Sequence, residues 1–160
     1  LTGADFKSHG SKHGWWFVAQ QQLTTIGGDP SRGMSVFFNA TVHDKATNFV
    51  DNFQNVGLVF KGPFDARPKD DIGVGVSRIH VNSNVRDRAR LLNEVNGATD
   101  YDDPNFLPIQ TTEYNSEIYY GVHVTDWLTV RPNLQYVVHP GGTDHVDNAL
   151  VAGIKLQTKF

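Results

Sequence analysis

The stretch from Trp127 to Phe160 reads WLTVRPNLQYVVHPGGTDHVDNALVAGIKLQTKF. Apolar and polar residues alternate in it twice. Leu128, Val130, Pro132, Leu134, Tyr136 and Val138 oppose Thr129, Arg131, Asn133, Gln135 and His139. After a Pro-Gly-Gly turn signal, Leu150, Ala152, Ile154, Leu156, Thr158 and Phe160 oppose Val151, Gly153, Lys155, Gln157 and Lys159. Successive side chains of a strand point to opposite faces, so each segment reads as a strand with one apolar and one polar side.

The same period recurs upstream, with turn clusters between, and helical periodicity is almost absent. The pattern predicts about seven strands. They run from Gly14 to Thr24, Met34 to Asp44, Asn52 to Gly62, Asp71 to Val81, Thr112 to Thr125, Leu128 to His139 and Ala149 to Phe160. In the second, Val36, Phe38, Ala40 and Val42 oppose Ser35, Asn39, Thr41 and His43. Gln21 interrupts one face of the first strand, and Arg78 suggests a slip or bulge in the fourth. Pro132 removes a ladder donor, so a local bulge is expected there.

Composition narrows the classes. The chain has 160 residues, a formal net charge of -3 and no cysteine. The charge gives no footprint for nucleic acid. The missing thiols exclude a disulfide framework and thiol catalysis, and suit an oxidising compartment. Mean hydropathy is -0.38, and no apolar run approaches the ~18 residues of a membrane helix. Transmembrane strands are compatible with both facts, because alternation makes them polar on average. The first residues, LTGADFKSHGSK, carry no apolar signal core, so a signal has been removed or the chain begins within a longer protein.

A soluble lipocalin-like barrel, with its apolar faces inward around a small apolar ligand, would alternate in the same way. The connections separate the two. Asp126-Trp127 is a tight turn, residues 82–111 form a long polar excursion, and residues 25–33 and 63–70 are intermediate and rich in Gly, Pro and Asp. Bacterial transmembrane barrels have short periplasmic turns and longer outer loops. Counted from the C-terminus, the Asp126 turn falls on the periplasmic side and the long loop outside. Such barrels close with an even strand number. An odd set of strands therefore implies further strands outside this chain, unless the N-terminal tail adds an eighth.

The terminal stretch closely resembles the end of the carbohydrate-selective porins, the OprB family, with its W-x-x-x-x-P-x-L-Q-Y-V-x-x-P-G-G segment, its N-A-L-V-x-G strand and a final aromatic. GMSVFFNATVHD and DDIGVGVSRI resemble two upstream strands of that family. The resemblance covers most of the chain from Gly14 onward. It implies an all-β, antiparallel transmembrane β-barrel of about sixteen strands, of which this chain is the C-terminal part of a single domain. It also implies diffusion of small, glucose-like carbohydrates across the bacterial outer membrane, without enzymatic step or cofactor. Phe160 resembles the terminal signature read by the barrel assembly machinery. The implied partners are sugars, outer-membrane lipid and lipopolysaccharide, the remaining strands of the porin and further copies of itself in a homo-oligomer.

The polar faces supply the candidate lumen. Asn39, Asn55, Lys61, Glu113, Glu117, Tyr119, Arg131, Gln135, Lys155 and Gln157 mix charges with amides, which suits hydrogen bonding to neutral hydroxylated solutes. Trp15, Trp16, Tyr114, Tyr120 and Tyr136 are expected near one strand end, and Trp127 and Phe160 near the other, as two aromatic girdles. Arg86, Arg88 and Arg90 fall in the long loop, read as a solvated loop rather than a helical turn, an inward fold or a lipopolysaccharide contact. The seven histidines, His9 among them, show no ligand spacing. Asp100, Asp102 and Asp103 lack the glycine and glutamate of a calcium loop. No nucleophile, base and acid fall on adjacent strands.

The alternation makes an orientation prediction. Val130, Leu134, Ile154 and Leu156 face lipid, and Arg131, Gln135, Lys155 and Gln157 face the lumen. Spin labels at the first set in the full-length protein should be shielded from water, and those at the second exposed. A charge placed on the first set near the midplane should cost about 2–4 kcal/mol, while a change in the second should mainly alter permeation.

Overall fold

A computed structural model describes residues 10–160. Seven strands form one antiparallel sheet in simple sequence order. They are β1 (Gly14–Gln22), β2 (Gly33–His43), β3 (Val50–Lys61), β4 (Asp71–Val81), β5 (Thr112–His123), β6 (Leu128–Val138) and β7 (Ala149–Thr158). All seven expected strands are present, with ends shifted by up to two residues. β1 and β7 are the sheet edges and, among the described residues, pair with no further strand. His9 and most of the tail considered as an eighth strand lie outside the described residues.

The register sorts side chains into two faces. Phe38, Val56, Val76, Ser116, Tyr136 and Leu150 follow one another across β2 to β7 on one face. Phe37, Gly57, Gly75, Glu117, Gln135 and Val151 do so on the other. The first face is apolar and exposed: Val56, Val74, Ile118, Leu134, Ile154 and Leu156 all stand open. Among the described residues only Val81, Ala89 and Ala98 are buried apolar side chains, and the largest fully buried ones are Asn82, Asp51 and Asp70. A soluble barrel hides its apolar face in a packed core. This sheet has no such core, which overturns the lipocalin-like reading.

Three local expectations need correcting. Pro132 causes no bulge: β5 and β6 keep one register from Tyr114↔Val138 to His123↔Thr129, and Pro132 sits opposite Ile154. Only the pairs beside the missing proline N–H drop out of the ladder. Arg78 is also in register, opposite Gln54 and Tyr114. The one register shift lies between Val50 and Asn52, around Asp51. Of the expected aromatic ring at one strand end, Tyr120 belongs to the other end, and Trp16 pairs with Thr41 on the polar face.

The two ends of the sheet differ. At the upper end, residues 44–49 make a shorter link than two of the lower turns, so loop length alternates only in part. Residues 82–111 are no plain loop, because they contain α1 (Ser83–Asn96). Asn82 caps its start by accepting from the Asn84 N–H, and Gly97 closes it in the left-handed region, φ 66°. The Asn82 amide also donates to the Lys45 and Asn48 carbonyls, at 2.6 and 2.8 Å. Asn93 exchanges two hydrogen bonds with the Leu107 backbone. Tyr101 stacks on His145 at 3.7 Å and its hydroxyl meets Thr143 at 3.0 Å. The helix, residues 44–49 and residues 139–148 thus form one polar cap.

At the lower end, residues 23–32 and 62–70 each make two successive reverse turns. Asp29 N–H donates to Ile26 and Arg32 N–H to Asp29; Arg67 N–H donates to Phe64 and Asp70 N–H to Arg67. Charges link the turns. Arg32 donates to the Gly62 carbonyl and pairs with Asp65, while Lys69 pairs with Asp126. Asp70 is almost completely buried. It accepts from Arg67 at 2.8 Å, the Tyr120 hydroxyl at 2.7 Å and the His123 N–H at 2.9 Å. Burial raises its pKa, and these donors outweigh burial, so the carboxyl is held down to about 2.

A folded-state pKa below the unfolded value of ~3.9 means stabilisation that is complete above that value and lost as pH falls through about 2. Asp70→Asn should destabilise the full-length protein by about 1–3 kcal/mol at neutral pH. Urea midpoints in vesicles should show the gap between wild type and variant closing between pH 4 and 2.

Candidate functional site

The register puts all ten candidate lumen residues on the polar face. Asn39 pairs with Asn55, Lys61 with Asp71, Tyr119 with Gly73 and Asn133, Glu117 with Gly75 and Gln135. Arg131 pairs with Lys155, Gln157 with Thr129 and Glu113 with Ile79. The structure does not use them alike. Glu117 accepts from Gln135 at 2.7 Å. Glu113 accepts from the Gly141 N–H at 2.7 Å and so anchors the upper cap. Lys61, Lys155 and Gln157 are exposed. Asn55 has a buried side-chain oxygen without a hydrogen-bond partner among the described residues.

Toward the lower end of this face lies an ion pair that sequence reading missed. Arg131 donates to both Asp71 oxygens, at 3.3 and 3.1 Å, across three strands. The Asp71 side chain is only 5% exposed. Gly121 lies between them, and a β-carbon there would collide with the Asp71 carboxylate. The same guanidinium stands 4.8 Å from the Tyr119 ring centroid. That ring lies against Gly73, where any larger residue would strike it. Lys155 opposite Arg131 is a like-charge pair, which Asp71 offsets.

Beside this pair, Phe37, Asn55, Gly73, Ser77, Glu117 and Tyr119 border a shallow cavity of about 270 Å³. Phe37 was also missed. The alternation that puts Val36 and Phe38 on the apolar face leaves Phe37 on the polar one, and the register sets it across from Gly57 there. Asp71 gave a weak signal because it opens its strand directly after Asp70, and its partner is far along the chain. What the wall offers chemically is a mixed set of donors and acceptors. Among the described residues, no three His, Asp or Glu side chains group to share a metal ion.

Arg131→Gln would leave Asp71 buried beside a neutral amide. It should lower stability by about 1–3 kcal/mol, measured by urea unfolding of the full-length protein. Asp71→Asn added to it should recover part of the loss, because the orphaned charge is then gone.

The chain matches the family model "Carbohydrate-selective porin, OprB family" over residues 1–160. It is 72% identical to Porin B of Pseudomonas aeruginosa over 160 residues, all of this chain and 35% of that protein. The structure described as the high-pH structure of Pseudomonas putida OprB superposes with a TM-score of 0.95 at 70% identity, over 99% of this chain and 38% of that one. The low-pH structure of the same protein matches with a TM-score of 0.66 at 55% identity, over 94% and 37%. The chain thus spans about a third of the length of the relatives it matches, and it belongs to the carbohydrate-selective porins of the OprB family.

Proposed function

We propose that this chain supplies the C-terminal strands, about seven of about sixteen, of a single-domain outer-membrane barrel that passes small neutral carbohydrates by diffusion. One observation carries the reading: the apolar face of the sheet is the exposed one, while the polar face holds a compensated, hydrogen-bonded wall. Lipid suits the first face and water the second. Two unpaired edge strands support the same reading, because hydrocarbon satisfies no open ladder and β1 and β7 need partners. The upper cap then lies outside the cell and the linked turns lie in the periplasm.

The wall selects by shape and hydrogen bonding rather than by net charge. Arg131 and Asp71 neutralise one another, Glu117 is held by an amide, and Lys155 stands opposite. A neutral polyol can exchange hydrogen bonds along such a surface without stripping a charge. No covalent step is needed.

The test is swelling of vesicles that contain the full-length protein. Neutral hexoses should enter much faster than into protein-free vesicles, and Glu117→Ala or Gln135→Ala should change the rate severalfold with little change in the urea midpoint. Equal swelling with and without protein would overturn the proposal.

A further inference from the structure

We propose that the outward face near the upper rim of β3 and β4 binds the phosphoryl group of an outer-leaflet glycolipid, the phosphorylated anchor of lipopolysaccharide, with Arg78 at its centre. The inference rests on the reading that these strands span an outer membrane, and it concerns the face opposite the lumen.

The outward series on β3 runs Phe60, Leu58, Val56 and then Gln54 and Asn52. On β4 it runs Ile72, Val74, Val76 and then Arg78 and His80. The apolar band therefore ends abruptly in an amide pair, a guanidinium and an imidazole. β3 and β4 are flanked by paired strands on both sides, so this face is complete without strands beyond β1 or β7.

The patch is built. The register shift between Val50 and Asn52 leaves Asp51 outside the ladder, as in a β-bulge that re-aims a side chain. Asp51 is almost fully buried and accepts from Asn52 at 2.6 Å, with His80 Nδ1 at 2.7 Å and the Lys45 ammonium at 3.4 Å. Its charge is thus committed to Lys45 and His80. Asn52 Oδ1 in turn accepts from the Gln54 amide at 3.0 Å and from Arg78 Nη1, which also donates to Gln54 Oε1 at 3.1 Å. Both acceptors of Arg78 are neutral, and no carboxylate among the described residues pairs with it. One guanidinium nitrogen is held rigidly, and the charge stays uncompensated.

Such a charge on the lipid side of a barrel is costly at the midplane and nearly free near the interface. Tyr114, opposite Arg78 on β5, and Tyr136 on the same face are half-exposed aromatics of the interfacial kind. The guanidinium therefore sits at headgroup depth, where the planar fork of arginine matches a phosphate.

The experiment uses full-length protein in detergent, with its thermal midpoint followed as bisphosphorylated lipid A, its dephosphorylated form or inorganic phosphate is added. Bisphosphorylated lipid A should raise the midpoint of wild type, and Arg78→Gln should weaken apparent binding about tenfold. Arg78→Lys, which keeps the charge without the fork, should lie between them and covers the case in which the glutamine variant fails to fold. Neutral-hexose swelling should be unchanged in both variants. Equal protection of wild type and the folded Arg78 variants, or equal protection by the dephosphorylated lipid, would overturn the inference, and so would an equal response to inorganic phosphate alone. Loss of hexose entry in wild type itself would instead sink the sugar-porin reading, which separates the two failures.

Discussion

Hydrocarbon offers no hydrogen bonds, and the architecture of this chain follows from that. Every backbone N–H and C=O at membrane depth needs a partner in the neighbouring strand, since each orphan costs several kcal/mol. Seven strands in sequence order meet the demand except along β1 and β7, beside Pro132 and at Asp51. The regularity of the ladders is the same constraint at finer grain. Even Pro132, which lacks a donor, is carried without a register shift, because a slip would turn every following side chain to the wrong face.

With lipid on one side and water on the other, the usual location of a core is inverted. Apolar side chains stabilise by facing outward, and polar groups must satisfy one another within the wall. Asp71 shows how tightly. It is nearly buried, accepts a two-pronged contact from Arg131, and depends on the absence of a side chain at Gly121. Tyr119 likewise lies flat only because its neighbour is Gly73. Small residues on this face are thus part of the electrostatics, since they let charges from separate strands approach.

The two rims solve different problems. At the lower rim, Arg32, Arg67 and Lys69 lock each turn to a neighbouring turn or strand. Asp70 gathers a guanidinium, a hydroxyl and a backbone N–H at one point. The upper rim carries a helix that touches the sheet mainly through its ends and loops. Ala89 is its one buried apolar side chain, and Asn82 and Asn93, bonded to backbone, hold it in the polar cap. Side-chain amides that imitate backbone partners suit a segment bathed in water on most sides.

The sequence alone determined the strands, their faces and the family. A period of two is a property of the backbone, so Leu134 and Gln135, or Ile154 and Lys155, must point apart wherever the strand lies. It was less informative where long-range geometry or caps decide. The residues Asn82 and Gly97 bracket α1, yet the arginines between them read as loop because the apolar face they accompany is slight. Register was beyond reach, since it depends on which strand lies beside which. Only the tertiary structure brought Arg131 to Asp71, set Phe37 across from Gly57, moved Tyr120 to the lower rim against Asp70, and placed the β-bulge at Asp51 rather than at Arg78. Alternation is local and is written in neighbours along the chain. Pairing is a choice among distant segments, and the free energy that decides it resides in contacts that exist only once the sheet has formed.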